Sequence, residues 1–113
     1  MDARFLRNEM LWGKEGQARL ARAHVILFGL GGVGSYVAEC LARSGIGELT
    51  LVDGDTVALS NLNRQLEALS STIGLPKAEA VARRIAEINP EAVLHPMQAL
   101  YNADNRALFF PEG

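Results

Sequence analysis

The sequence predicts an α/β fold, the Rossmann-like βαβαβ half of a doubly wound, mostly parallel sheet, preceded by an N-terminal helical arm. Three observations carry that prediction. The apolar run HVILFG ends in a glycine and opens into GLGGVG; a second strand-like run, ELTLVD, follows one helix length later; and AVLHPM follows a further amphipathic stretch.

Taken in order, residues 1–23 read as a polar, helical arm, with Arg4, Arg7, Lys14, Arg19 and Arg22 outnumbering Asp2, Glu9 and Glu15. Such a charge pattern ordinarily marks a solvated helical surface. His24 to Gly29 is a short run of strand formers and reads as a buried strand. Gly29 to Ser44 follows as a helix, with Val33, Val37 and Leu41 at helical spacing as its apolar stripe and Glu39 and Arg43 as an outward i, i+4 pair. Gly45 and Gly47 end it. Glu48 to Asp53 is the second strand. Residues 54–75, rich in Ser, Asn and Gly, read as a long, partly helical connection. Pro76 opens the next helix, in which Ala78, Val81, Ile85 and Ile88 form one stripe, and Asn89-Pro90 closes it. Ala92 to Met97 completes the unit, and Pro96 restricts that strand to an edge or an end. A further helix is expected from Asn102. Residues 24–113 thus form one subdomain, expected to continue downstream, since a parallel sheet of this kind normally has more strands.

Of the 113 residues, 49% are hydrophobic, and 11 basic residues face 13 acidic ones for a net charge of −2. That balance fits a globular domain and argues against a broadly basic nucleic-acid binder. No apolar run approaches the roughly 18 residues of a membrane span. A cytoplasmic location without membrane contact is the expectation, and it agrees with the lone Cys40, which can form no internal disulfide. Cys40 falls on the helix after the glycine run and reads as a packed core thiol. His24 and His95 flank strands without metal-ligand spacing and read as structural. Trp12, Met97 and Phe109-Phe110 read as core or subunit contacts.

The chemistry-bearing residues begin with Gly29, Gly31 and Gly34, a G-x-G-x-x-G pattern set between a strand and a helix. Without side chains the turn can be tight and a phosphate can approach the backbone, where free N–H groups and the positive end of the helix dipole await it. Glycine turns also serve close strand-to-helix packing, so context decides, and here it favours a nucleotide. Asp53 ends the second strand 19 residues after Gly34 and can accept hydrogen bonds from ribose hydroxyls. A turn-forming or capping role is the other reading. Asp55 is either a turn residue or an orienter of its neighbours. These features alone also fit an NAD-dependent oxidoreductase. Asn61, Asn63, Arg64 and Gln65 then add donors and a permanent cation, and Lys77 adds another cation at a helix start, where it opposes the dipole. Ordinary surface cations are the alternative. Together the two favour a triphosphate, whose pyrophosphate leaving group needs charge neutralisation.

In order, RFLRN, GLGGVGS, RSGIGELTLVDGDTV, SNLNRQ, GLPKAE and INPEA give the chain a strong resemblance to the ATP-dependent adenylating superfamily of ThiF, MoeB and the ubiquitin-activating enzymes, over nearly all its length. ARSGIGELTLVD and LWGKEG are most similar to the branch that dehydrates threonylcarbamoyladenosine in tRNA. The resemblance implies that Gly32 and Asp53 contact ATP, Asp53 through the ribose. It further implies that Ser60 to Arg64 line the phosphates, that Arg64 and Lys77 bind the triphosphate and act in catalysis, and that Arg7 reaches into a partner's site in a homodimer. The implied reaction is attack of a carboxylate on the α-phosphate, giving an acyl adenylate and pyrophosphate with Mg2+ assisting. The carboxylate is that of a tRNA-borne threonyl group or, in the ThiF and MoeB branch, the C-terminal glycine of a ubiquitin-like sulfur-carrier protein. A non-catalytic dimerisation module stands outside both. The family's magnesium-binding D-x-x-D motif is absent, and Asp104 in NADN lies too early to replace it. No metal ligand is therefore expected within this chain, and part of an ATP site without turnover is.

Overall fold

The computed structural model describes residues 3–100. After a 3-10 turn at Ala3–Phe5 come α1 (Leu6–Arg22), β1 (His24–Phe28), α2 (Gly32–Ser44), β2 (Glu48–Val52), a 3-10 turn at Leu59–Asn63, α3 (Lys77–Ile88) and β3 (Val93–Met97). The three strands are parallel in the order β1-β2-β3, so the βαβαβ order read from the sequence is the order built. Pairing runs from His24 with Glu48 and Glu48 with Val93 to Phe28 with Val52 and Val52 with Met97. β3 lies at an edge of the sheet, where Pro96 can sit without withholding a ladder donor from a further strand. The helix expected from Asn102, Asp104 and the Phe109-Phe110 pair lie outside the described residues.

Side chains alternate along each strand, so Val25, Leu27, Leu49, Leu51 and Leu94 turn toward α2 and α3 and form the core with Leu30, Ile46, Val81 and Ile85. Leu30, Leu49, Leu51 and Ile85 are at most 1% exposed; burying such a side chain stabilises the fold by about 1.5–3 kcal/mol. α3 buries Ala78, Val81 and Ile85 and half-buries Ile88, the stripe its spacing predicted. Asn89 does more than end that helix: its buried amide donates to the Ile46 carbonyl at 3.0 Å and ties α3 to the turn before β2. On the other sheet face, His95 Nε2 meets Glu48 at 2.6 Å and His24 Nε2 meets Thr50 at 2.7 Å, and among the described residues no cluster of three His, Cys, Asp or Glu side chains could hold a metal ion.

The arm is broken at Gly13 (φ 79, ψ 168) and is pinned by its second half. Gln17 is 2% exposed, donates to the Ser44 carbonyl at 2.8 Å and accepts from Trp12 Nε1 at 2.7 Å. Leu20 joins the core, and its carbonyl accepts the Gly47 N–H. No described helix is long and apolar enough to cross a membrane.

Helix α2 corrects the phase expected of it. Val33 is 80% exposed and Val37 38%; of the expected stripe only Leu41 reaches the core, and the buried residues are Ser35, Ala38 and Ala42. Small side chains let the helix lie close on the sheet, which the larger valines would prevent. Cys40 shares the outward phase and is exposed, not a packed core thiol. Glu39 is not outward either: it sits between α2 and α3 and binds both Arg43, at 3.2 Å, and Arg84. Arg84, more than Arg43, holds the Glu39 carboxyl below its ordinary range against the opposing effect of burial.

Candidate nucleotide-binding site

The site lies at the carboxyl ends of β1 and β2, where a parallel α/β sheet offers its open crevice. Gly29 leaves β1 at φ 92, a left-handed conformation that strains any residue with a Cβ, while its N–H is held by the Val52 carbonyl at 2.8 Å. A Cβ on Gly34 would collide with the Gly29 carbonyl oxygen. Between them the chain enters α2 at Gly31 with no side-chain cap, so the first-turn N–H groups point at whatever fills the crevice.

Asp53 clasps this loop. One carboxylate oxygen accepts the Leu30 N–H at 2.7 Å and the other accepts the Asp55 N–H at 2.8 Å, in a residue 9% exposed. The turn-forming role weighed for it is thus realised. Each oxygen keeps a lone pair for another donor. Asp55 orients its neighbours through its backbone: its carbonyl accepts the Lys77 N–H at 3.0 Å, and its side chain is exposed.

SNLNRQ forms the second wall. Asn61 is buried; its side-chain oxygen accepts the Ala58 N–H and its carbonyl accepts the N–H groups of Arg64 and Gln65, so it shapes the turn. That turn aims Arg64. The guanidinium donates through Nη1 to the Ser60 carbonyl and to Asn63 Oδ1, both at 3.0 Å. Its Nε and Nη2 donors have no partner among the described residues, and its stem lies where a side chain on Gly32 would just touch it. A fixed guanidinium beside uncapped helix N–H groups is a receptor for phosphate oxygens.

Lys77 comes from the far side. Residues 53–57 and 74–77 are stitched together by a bridge of Thr56 with Pro76 and by the hydrogen bonds Val57 N–H to Leu75 and Lys77 N–H to Asp55. Lys77 is 7% exposed, and its ammonium makes no hydrogen bond or ion pair with a described residue. A cation on a largely buried stem and without a partner can receive an anion. An open groove of about 770 Å3 runs outward from Gly32 and Arg64 along the exposed side of α2, past Val33, Tyr36 and Val37. The cavity of about 450 Å3 near Phe5, Gln17 and Asn89 lies at the opposite end of the sheet, and the Gln17 and Asn89 amides are already hydrogen-bonded.

Arg7 is not brought to this site within the chain. Asn8 beside it binds the Arg43 carbonyl at the far end of α2, about 18 Å of helix away from the glycine loop. The residue that sequence reasoning missed is Glu67. It is 1% exposed and neither carboxylate oxygen has a hydrogen-bond partner. Burial pushes its carboxyl above the ordinary range, opposed by the nearby positive charge of Lys77. The only hint of this in the sequence is an acid enclosed by apolar residues in LEAL.

One family model spans the glycine loop, the Asp53 clasp and the SNLNRQ turn alike. The chain belongs to the ThiF family, whose model matches residues 5–112. Among its relatives, the tRNA threonylcarbamoyladenosine dehydratase of Bacillus subtilis (strain 168) is 48% identical over 109 residues, which cover 96% of this chain and 43% of that protein. The crystal structure of the E. coli tRNA N6-threonylcarbamoyladenosine dehydratase TcdA in complex with ATP superposes with a TM-score of 0.92 at 44% identity, covering 97% of this chain and 45% of that one. The molybdopterin-synthase adenylyltransferase of Salmonella typhimurium is 43% identical over 90 residues, 80% of this chain and 36% of that protein. The chain thus spans less than half the length of these relatives.

Proposed function

We propose that this chain is the nucleotide-binding part of an ATP-dependent tRNA threonylcarbamoyladenosine dehydratase. The observation that carries the reading is that Arg64, beside the uncapped start of α2, and Lys77, whose N–H is tied to Asp55 just past β2, both keep unpartnered donors, more positive charge than a dinucleotide's pyrophosphate calls for. The relatives named above support the choice of branch.

In this reading the glycine-loop N–H groups of Gly31 and Gly32 hold phosphate oxygens, Gly29 and Gly34 give the loop its shape, and Asp53 uses its remaining lone pairs on the ribose. Ser60 and Asn63 aim Arg64. The threonyl carboxylate attacks the α-phosphorus, the bond to the β,γ-phosphates breaks, and pyrophosphate leaves while Arg64 and Lys77 neutralise the charge that develops on it. The acyl adenylate is then captured by a nitrogen of the same modified group, which closes the ring and releases AMP. Orientation and charge neutralisation are the protein's contributions. Magnesium finds no ligand cluster among the described residues, so it would travel with the triphosphate and take its carboxylates from elsewhere.

We further propose a cytoplasmic homodimer. The exposed Val33, Tyr36 and Val37 on α2 supply an apolar face, and Arg7, remote from its own site, would enter the partner's. The likeness to the Salmonella protein supports a second reading, adenylation of a sulfur-carrier protein.

Calorimetry on the full-length protein with ATP-Mg and with NAD separates the classes. ATP binding that is lost in Arg64→Ala is expected, and NAD binding without an ATP response refutes the proposal in favour of an oxidoreductase. Comparison of tRNA nucleosides from cells with and without the gene decides the branch: the cyclised nucleoside should disappear with the gene, and if it persists the dehydratase assignment fails.

A further inference from the structure

The buried carboxylate of Glu67 has no role in the reaction just described. Glu67 precedes Ala68, which packs with Val57 and Ala80 in a small buried cluster, and its own carbonyl is fixed by the Thr72 hydroxyl at 2.6 Å. Three side chains act on its ionisation: Lys77 from α3, Asp53 from the end of β2, and Ser35 from α2. The Ser35 hydroxyl favours the ionised form by proximity but donates to the Gly32 carbonyl at 3.2 Å, so both carboxylate oxygens stay without a donor. Asp53 is spent on the glycine loop and repels it. Arg83 and Arg84, which line a hollow together with Glu67, are taken up by Glu79 and Glu39. What is left is Lys77, a largely buried side chain whose ammonium also lacks a hydrogen-bond or ion-pair partner among the described residues. A buried unpaired carboxylate and an unpaired ammonium near it, with the two arginines beside the carboxylate already paired, are each other's compensation.

We infer that Glu67 is a positioning residue of the site: its enclosed carboxylate is the counter-charge that holds Lys77 at the phosphate end, and the phosphates of a bound nucleotide take the ammonium over from it. This rests on reading the site as a nucleotide-phosphate site. The handover has a chemical consequence. Once the ammonium turns to the phosphates, the carboxylate faces Asp53 and the incoming anion without compensation, and it takes up a proton from solvent. Nucleotide binding is therefore linked to proton uptake, and Glu67 restrains affinity while it fixes the lysine.

Two measurements on the full-length protein test this. The first needs no nucleotide. Lys77→Met should lower the denaturation midpoint by stranding the Glu67 charge, and adding Glu67→Gln should restore most of the loss. If the two substitutions are additive, the pairing is overturned. The second is calorimetry of ATP-Mg binding in buffers of different ionisation enthalpy. The wild type should take up protons beyond those due to ATP-Mg itself, and Glu67→Gln should abolish that uptake and bind about tenfold more tightly, the effect of one charge several ångströms away in a protein medium. Unchanged or weaker affinity in Glu67→Gln, or a wild type that takes up no proton, overturns the handover. Should Glu67→Gln fail to fold, the proton balance of the wild type decides alone. A wild type that binds no ATP refutes the nucleotide reading and the handover with it, whereas the stability cycle still judges the pairing.

Discussion

Asp53→Asn tests whether the glycine loop is held from behind by one carboxylate. The wild-type side chain accepts two backbone N–H groups, from Leu30 at 2.7 Å and from Asp55 at 2.8 Å. An amide has one acceptor oxygen, so it must choose. Leu30 is 0% exposed and its N–H cannot reach water, whereas Asp55 is exposed and can be solvated. The amide oxygen therefore turns to Leu30 and presents its NH2 to the Asp55 N–H. The loss is one charge-assisted hydrogen bond, the charge on the other, and a donor facing a donor, together about 2–4 kcal/mol. Asp53→Ala strands the Leu30 N–H as well and should lose about 3–5 kcal/mol. Urea denaturation of the full-length protein, with unchanged denaturant dependence as the check on two-state behaviour, reads these values. ATP affinity should fall in parallel, because the loop N–H groups lose their fixed direction. An Asp53→Asn protein within about 0.5 kcal/mol of the wild type, the range of an ordinary surface substitution, would show that the loop holds itself and that the clasp is incidental.

Three further outcomes follow from the same packing. Glu39 has its carboxyl lowered from an ordinary 4.5, chiefly by the Arg84 hydrogen bond. Its stabilisation is complete above that value and is lost as pH falls through the lower folded one; Glu39→Gln should be less stable than wild type at neutral pH, the gap closing below pH 4.5, and a gap independent of pH refutes the bridge. Glu67 is shifted the other way, so wild-type stability should decline as pH rises above 4.5, a decline that Glu67→Gln removes; parallel pH profiles refute the buried charge. Gly34→Ala places a methyl against the Gly29 carbonyl and should cost about 1–3 kcal/mol along with nucleotide affinity, while Gly32→Ala meets only the Arg64 stem and should leave the melting temperature nearly unchanged.

The parts of the fold that the sequence displayed are those where bulk and burial coincide. The strands at Val25, Leu49 and Leu94 and the α3 stripe are of this kind, since large apolar residues at the right period have nowhere else to go. α2 reverses the rule. A helix pressed close to a sheet selects serine and alanine for contact, at Ser35, Ala38 and Ala42, and leaves Val33 and Val37 outside, so hydrophobicity alone rotates it wrongly and misplaces Cys40 with it. In the site, glycine spacing and the conflict between Lys77 and its helix dipole were readable because each breaks a local preference. Glu67 breaks none in one dimension. Its anomaly exists only once the connection folds back and encloses it, beside Ala80 and Arg84 and within reach of the Lys77 charge, residues distant in the chain.

The stitching of residues 53–57 to 74–77 has a consequence for how such a site can vary. The connection is a loop closed at its neck, with Arg64 carried on a turn inside the loop and Lys77 at the neck itself. The stretch from Leu69 to Ile73 forms its outward bend, with Leu69, Ser70, Ser71 and Ile73 exposed. Lengthening a closed loop adds little entropic penalty, about 0.6 kcal/mol for each doubling. Residues can therefore be gained or lost at that bend while the spacing of the two cations stays fixed. The neck behaves as a caliper set once, and the bend beyond it is open ground on which descendants can evolve contacts to different acceptors without resetting it.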